Sequence, residues 1–288
     1  MSSAPLERIG HYRILASVYT GQATRTLKAY DDSTKTTFAI KQLLPKAAGN
    51  RFQVNMLKWE YTIGSCFSCG SMIHAHEYGK DRGVPYLVMD WFPGPSVKQL
   101  IHLGYSQYCP VLPDLIPKLL EPLIALHEAG YVHRDIKPDN YLYAPELGVK
   151  LIDFALVRKK GGFLDRFFHR RGVTQGTATY MSPEQIRNQP LDGRADLYSL
   201  GASILELLTG TPPVTGNSMN ELLNKHLSGP VPSALAKNKN VTPEFNALLQ
   251  SMMAKKRENR PVSARAVSDT LRRMKLFVKP PQSGDKTL

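Results

Sequence analysis

The sequence predicts an α+β fold in two lobes, a small β-rich N-lobe over residues 1–90 and a larger helical C-lobe over 91–279. Three observations carry this. Short β-like runs crowd the first third of the chain, Trp91-Phe92-Pro93-Gly94-Pro95 interrupts them, and helical periodicity dominates afterwards.

The β-like runs are Tyr12-Arg13-Ile14-Leu15, residues 26–30 and residues 38–43, with Asp31-Asp32-Ser33-Thr34 as turn chemistry between the last two. Phe52, Met56, Trp59 and Ile63 recur at helical spacing, predicting a helix over 51–63. Strands resume at 74–78 and 86–89. Beyond Pro95 the pattern predicts a helix over 116–129 stopped by Gly130, and a strongly apolar one over 196–209 stopped by Gly210. A third opens at Thr242-Pro243-Glu244, with Thr242 as N-cap and proline in the first turn. Residues 280–288 are polar and read as a disordered tail.

Composition narrows the class. With 42 % apolar and 21 % charged residues in 288, the chain can bury a sizeable core. No apolar stretch is long enough to span a bilayer. The start, Met-Ser-Ser-Ala-Pro-Leu-Glu-Arg, has neither an apolar signal core nor the glycine that myristoylation requires, so a cytoplasmic protein is expected. The net charge of +13 permits acidic partners, but no aromatic–basic interleaving marks a nucleic-acid-binding motif, and no nucleic acid is expected. Three cysteines do not make a disulfide framework. Cys66 and Cys69, followed by His74 and His76, have spacing open to zinc, to a redox pair or to incidental cysteines. Against zinc, the run 72–76 alternates like a strand, with both histidines on one face.

The chemistry concentrates at His133-Arg134-Asp135, with Lys137 and Asn140 at fixed offsets and Asp153-Phe154-Ala155 downstream. These residue types suit phosphoryl transfer. Asp135 is placed to accept a hydroxyl proton, Lys137 to neutralise a moving phosphate, and Asn140 with Asp153 to hold magnesium.

With these motifs, the chain resembles the eukaryote-like Ser/Thr protein kinases, most closely their bacterial branch, over about residues 12–274. The resemblance implies ATP and Mg2+ as cofactors and a protein hydroxyl as acceptor; Lys137 points to Ser/Thr acceptors. It implies that Lys41, in Ala39-Ile40-Lys41, grips the α- and β-phosphates, with Glu60 as its ion-pair partner. Val18, Gly21, Ala39, Met89 and Trp91 fall where the family binds the nucleotide, Met89 being the residue guarding the adenine pocket. Glu184 is expected to pair with Arg260, and Asp196 to support the catalytic loop. Thr177 matches a threonine that contacts the base and lysine. Thr174 is the candidate for activating autophosphorylation, with Arg134 as the partner of its phosphate. The stretch from Arg158 to Arg171 is basic and amphipathic. It reads either as a solvated activation loop or as a docking surface for an acidic substrate or anionic surface.

Two departures stand out. The family's Gly-x-Gly-x-x-Gly loop reads Tyr19, Gly21 and Thr24 at its glycine positions, so side chains are expected to obstruct or stiffen the approach to phosphate. Ala155 replaces a glycine after Asp153-Phe154, at a cost of roughly 1 kcal/mol if that position needs positive φ. An active kinase with unusual ATP binding is one reading. A pseudokinase acting as a binding or scaffold module is the alternative.

Overall fold

The computed structural model describes residues 7–161 and 178–286 and divides into two compact units. One runs to Pro93 and takes in Ile152–Leu156; the other comprises Gly94–Leu151 and the chain from Val157. The α+β expectation holds, with the sheet in the first unit and most helices in the second. Residues 152–156, assigned by sequence to the second lobe, group with the first unit. There Asp153 bonds Lys41, and Phe154 lies against Gly64.

The first unit is an antiparallel sheet of β1 (Arg8–Ile9), β2 (Tyr12–Thr20), β3 (Thr24–Asp31), β4 (Thr36–Leu43), β5 (Ala75–Asp81) and β6 (Val84–Asp90), in the order β1-β2-β3-β4-β6-β5. In register, Lys41 faces Thr26 on one side and Leu87 on the other, and Ala39 faces Met89. Asp31 makes the β3–β4 turn. Its carboxylate accepts from the Ser33 amide at 2.8 Å, the Ser33 hydroxyl at 2.6 Å and the Thr34 hydroxyl at 2.9 Å, bonds that hold its pKa well below the usual range.

Helix α1 (Arg51–Cys66) starts at Asn50, whose side-chain oxygen accepts from the Phe52 and Gln53 amides. Of the stripe expected at Phe52, Met56, Trp59 and Ile63, only Ile63 is fully buried; Leu57, Glu60 and Gly64 join it, so the inward face carries a carboxylate. Gly64 is required there, because a Cβ would stand 2.8 Å from the Ala75 Cβ. Trp59 on α1 and Trp91 after β6 both belong to this unit, and the Lys28 ammonium sits 4.8 Å from the Trp91 ring centroid.

The second unit holds α2 (Val97–Leu103), α3 (Tyr105–Tyr108), α4 (Leu112–Lys118), α5 (Glu121–Glu128), β7 (Tyr131–Val132), β8 (Tyr141–Ala144), β9 (Gly148–Leu151) and β10 (Arg158–Lys159). After these come α6 (Pro183–Ile186), α7 (Gly193–Thr209), α8 (Met219–Ser228), α9 (Pro243–Met252) and α10 (Ala264–Leu271). β7 pairs with β10, and β8 with β9. The single helix expected over 116–129 is two, α4 and α5. Pro117 and Pro122 supply no amide hydrogen, and Pro122 sits in the first turn of α5, where none is needed.

Helix α7 is buried all round from Ala195 to Thr209, as its apolar sequence requires. It opens on the Asp192 cap and stops at Gly210, whose φ of 68° only glycine adopts freely. Thr242 caps α9 through the Phe245 amide. The disorder expected from Pro280 is not what the structure shows through Lys286. Asn240 donates to the Asp285 carboxylate at 2.8 Å and to the Lys279 carbonyl at 3.0 Å, tying the chain down. Among the described residues, no helix is long and apolar enough to cross a membrane.

His226 on α8 is fully buried, its Nδ1 2.9 Å from the Tyr198 hydroxyl. Burial, then the nearby Lys255 ammonium, pushes its pKa down to about 4. A base whose folded pKa lies below its unfolded value binds fewer protons when folded. Its contribution is therefore complete above about pH 6.5 and lost as pH falls towards 4, a difference of roughly 3 kcal/mol. The expected result is a urea midpoint that drops across that window, with this part of the drop missing in His226→Phe.

Candidate active site

In the first unit, three charged residues meet. The Lys41 ammonium on β4 donates to both Glu60 oxygens, at 2.9 and 2.8 Å, and to Asp153 at 3.2 Å. Glu60 reaches it from the buried face of α1, with its side chain 3 % exposed. Burial opposes the charge on Lys41, but the Asp153 and Glu60 carboxylates outweigh it and raise its pKa, so the ammonium stays charged. Burial raises Glu60 to about 7 against the pull of Lys41.

Asp153 adopts φ 66°, the left-handed conformation. Ala155 is not among the residues of positive φ, so the cost expected of alanine there does not arise. The strained position is Asp153 itself, two residues earlier.

The degenerate glycine loop is a hairpin whose register shifts between Ile14 and Ala16 and again between Ser17 and Tyr19. Tyr19 pairs with Thr26 and Thr20 with Arg25, and the Gly21 amide donates to the Thr24 carbonyl at 2.9 Å. The Tyr19 ring folds back over Gly21, so a Cβ there would lie 3.1 Å from its Cε1; the ring is otherwise 65 % exposed. Val18 is exposed beside it, whereas Ala39 is buried. Met89 packs on the core group of Leu43, Leu57, Ala75 and Leu87.

Asp90 is a feature the sequence did not single out. Its carboxylate accepts from the His74 amide at 3.2 Å and lies 2.7 Å from His76 Nε2. The two histidine rings lie together as the alternation anticipated, their centroids 4.9 Å apart, although β5 begins only at Ala75; His74 Nδ1 stands 3.3 Å from the Phe67 carbonyl. Cys66 and Cys69 are free thiols. Among the described residues, no three His, Cys, Asp or Glu are grouped to hold a metal ion.

In the second unit, the loop after β7 is tied at both ends. The Asp196 carboxylate on α7 accepts from the His133 amide at 2.7 Å and the Arg134 amide at 2.8 Å, and lies 2.9 Å from His127 Nε2. Burial would raise the Asp196 pKa, but its hydrogen bonds and the two imidazoles bring it down, keeping it a carboxylate. Arg134 is buried at φ 73°, and its carbonyl accepts from the Gln185 side chain at 2.8 Å. The Asp135 carboxylate receives the Lys137 ammonium at 2.7 Å and the Asn140 amide nitrogen at 3.0 Å; that nitrogen also donates to the Asp135 carbonyl at 2.7 Å. Each unit thus offers a hard oxygen donor of the kind magnesium takes, the Asn140 amide oxygen in one and the Asp153 carboxylate in the other.

Arg260 makes a bidentate pair with Glu184, at 2.6 and 2.8 Å, as the sequence anticipated. His127, Gln185 and the Glu206 network carry no local motif and were not foreseen. Lys98 and Tyr180 both reach the buried Glu206 carboxylate, each at 2.5 Å. Thr174, Thr177 and most of the basic amphipathic stretch lie outside the described residues.

Residues 12–271 match the protein kinase domain model. Serine/threonine-protein kinase PknL of Mycobacterium tuberculosis is 31 % identical over 264 residues, which cover 90 % of this chain and 64 % of PknL. PknB of Mycolicibacterium smegmatis is 34 % identical over 182 residues, 62 % of this chain and 28 % of that protein. PknH of Mycobacterium bovis is 28 % identical over 272 residues, 92 % and 44 % of the two chains. The chain thus spans less than two thirds of the length of these relatives.

Proposed function

Since the chain belongs to the protein kinase domain family, we propose that it is an ATP-dependent Ser/Thr protein kinase acting in the cytoplasm, where ATP is held. The observation that carries the reading is the Asp135 carboxylate, held by Lys137 and Asn140 on a loop anchored to Asp196. When bound, magnesium-ATP supplies the phosphoryl group and a cation to neutralise it.

The chain's own residues do the rest. Asp135 accepts the proton of the acceptor hydroxyl, and Lys137 holds Asp135 in place and adds positive charge beside the transferred group. Lys41, oriented by Glu60, binds the α- and β-phosphates. Asn140 and Asp153 are the proposed magnesium ligands. Val18, Gly21, Ala39, Met89 and Trp91 are the proposed nucleotide contacts. The acceptor is a protein Ser or Thr, including the chain itself, and the basic stretch favours acidic sequences. Thr174 is the proposed regulatory site, with Arg134 as the phosphate's partner and Thr177 beside the base.

The hairpin closed by Tyr19 over Gly21 is the observation that favours the pseudokinase alternative. One assay separates the two. The protein and its Asp135→Asn variant are incubated with magnesium-ATP and a generic acceptor, and phosphate is sought by mass spectrometry. Phosphate only with the unaltered chain is expected, and its absence from both overturns the kinase reading. Thr174→Ala is expected to lower the same activity severalfold, and unchanged activity would refute the regulatory role.

A further inference from the structure

We propose that the helical unit carries a second ligand site, a cavity of about 520 Å3 that takes a phosphoryl group through Arg187, Lys255 and Lys256. Its walls come from the end of α6, the end of α8 and the turn before Arg260, with Pro190 and Leu227 as the apolar part. The charge is unbalanced. Of the carboxylates lining it, Glu184 is taken by the bidentate Arg260, and Glu258 lies 3.4 Å from Arg257. Among the described residues, no carboxylate pairs with Arg187, Lys255 or Lys256.

Lys255 is the inner cation. Its half-buried ammonium donates to the Lys225 carbonyl at 3.2 Å and stands 3.4 Å from the Tyr198 hydroxyl. The groups around it are Arg260 with Glu184, Tyr198, His226, Arg257 and Glu258. Glu184 is engaged by Arg260, and His226 is neutral above its pKa of about 4, so no free counter-charge is supplied from within. Burial, then Arg260, lowers Lys255 to about 8, the behaviour of a cation short of a partner. A phosphoryl dianion meets both needs, forming charge-assisted hydrogen bonds and relieving like-charge crowding. The cavity's size suits a small phosphorylated molecule or a phosphorylated side chain.

The test is titration calorimetry of the full chain with sulfate, free phosphoserine, a phosphoserine peptide and the same peptide without phosphate. Saturable binding of the three oxyanion ligands is expected, weakened about tenfold in Lys255→Met and in the exposed pair Arg187→Glu/Lys256→Glu. Sulfate does not titrate in this range, so its affinity should fall from pH 7 to 9 as Lys255 loses its proton, and stay level in Lys255→Arg. A peptide bound more tightly than free phosphoserine identifies a phosphorylated side chain as the source; equal affinity identifies a free phosphorylated molecule. Anion binding at the nucleotide site survives these substitutions, so affinities unchanged in both variants overturn the proposal, as does a failure to saturate.

Discussion

Asp135→Asn is expected to lower phosphate transfer about a thousandfold, the usual weight of a positioned general base, while leaving the protein folded. The substitution keeps the shape and removes the proton acceptor. It also sets an amide where Lys137 and Asn140 now donate at 2.7 and 3.0 Å, so those bonds weaken. Affinity for the nucleotide should change little, because Lys41, Glu60 and Asp153 are untouched. Near-normal turnover in this variant, measured with radiolabelled ATP, would remove Asp135 from the role of base.

Arg260→Ala is expected to give the largest loss of stability, about 3–5 kcal/mol, because it leaves the Glu184 carboxylate buried without its counter-charge. The guanidinium side chain is 0 % exposed and Glu184 5 % exposed, so water offers little compensation. Arg260 also donates to the carbonyls of Ala254, Arg194 and Lys255, which lose their donor with it. Melting temperature should fall by roughly 10 °C. Arg260→Lys should recover only part of this, since an ammonium cannot bridge both Glu184 oxygens. A fall of only a degree or two would show that the pair is dispensable.

Much of this was legible from the chain. The lysine and glutamate that meet at 2.8 Å are 19 positions apart, yet Ala39-Ile40-Lys41 and a helical Glu60 located both. Signals confined to a few residues survived: the Asp31 turn, the Thr242 cap and the Gly210 stop. What failed depended on packing. The inward face of α1 follows Ala75 and Phe154 rather than its most apolar stripe, so Glu60 is buried and Met56 only half so. The end of the chain looked unstructured because Asn240, some 39 positions earlier, is what holds Lys279. The cost assigned to Ala155 was misplaced because sequence cannot say which residue of a turn takes the positive φ. Glu206, His127 and Gln185 act through partners brought close only by the fold.

Both tryptophans, Trp59 and Trp91, belong to the sheet unit. Their fluorescence is therefore a one-sided optical reporter, while far-ultraviolet dichroism is weighted towards the helices of the other unit. Following one denaturation with both probes would show whether the two units melt together or in sequence, without introducing a label.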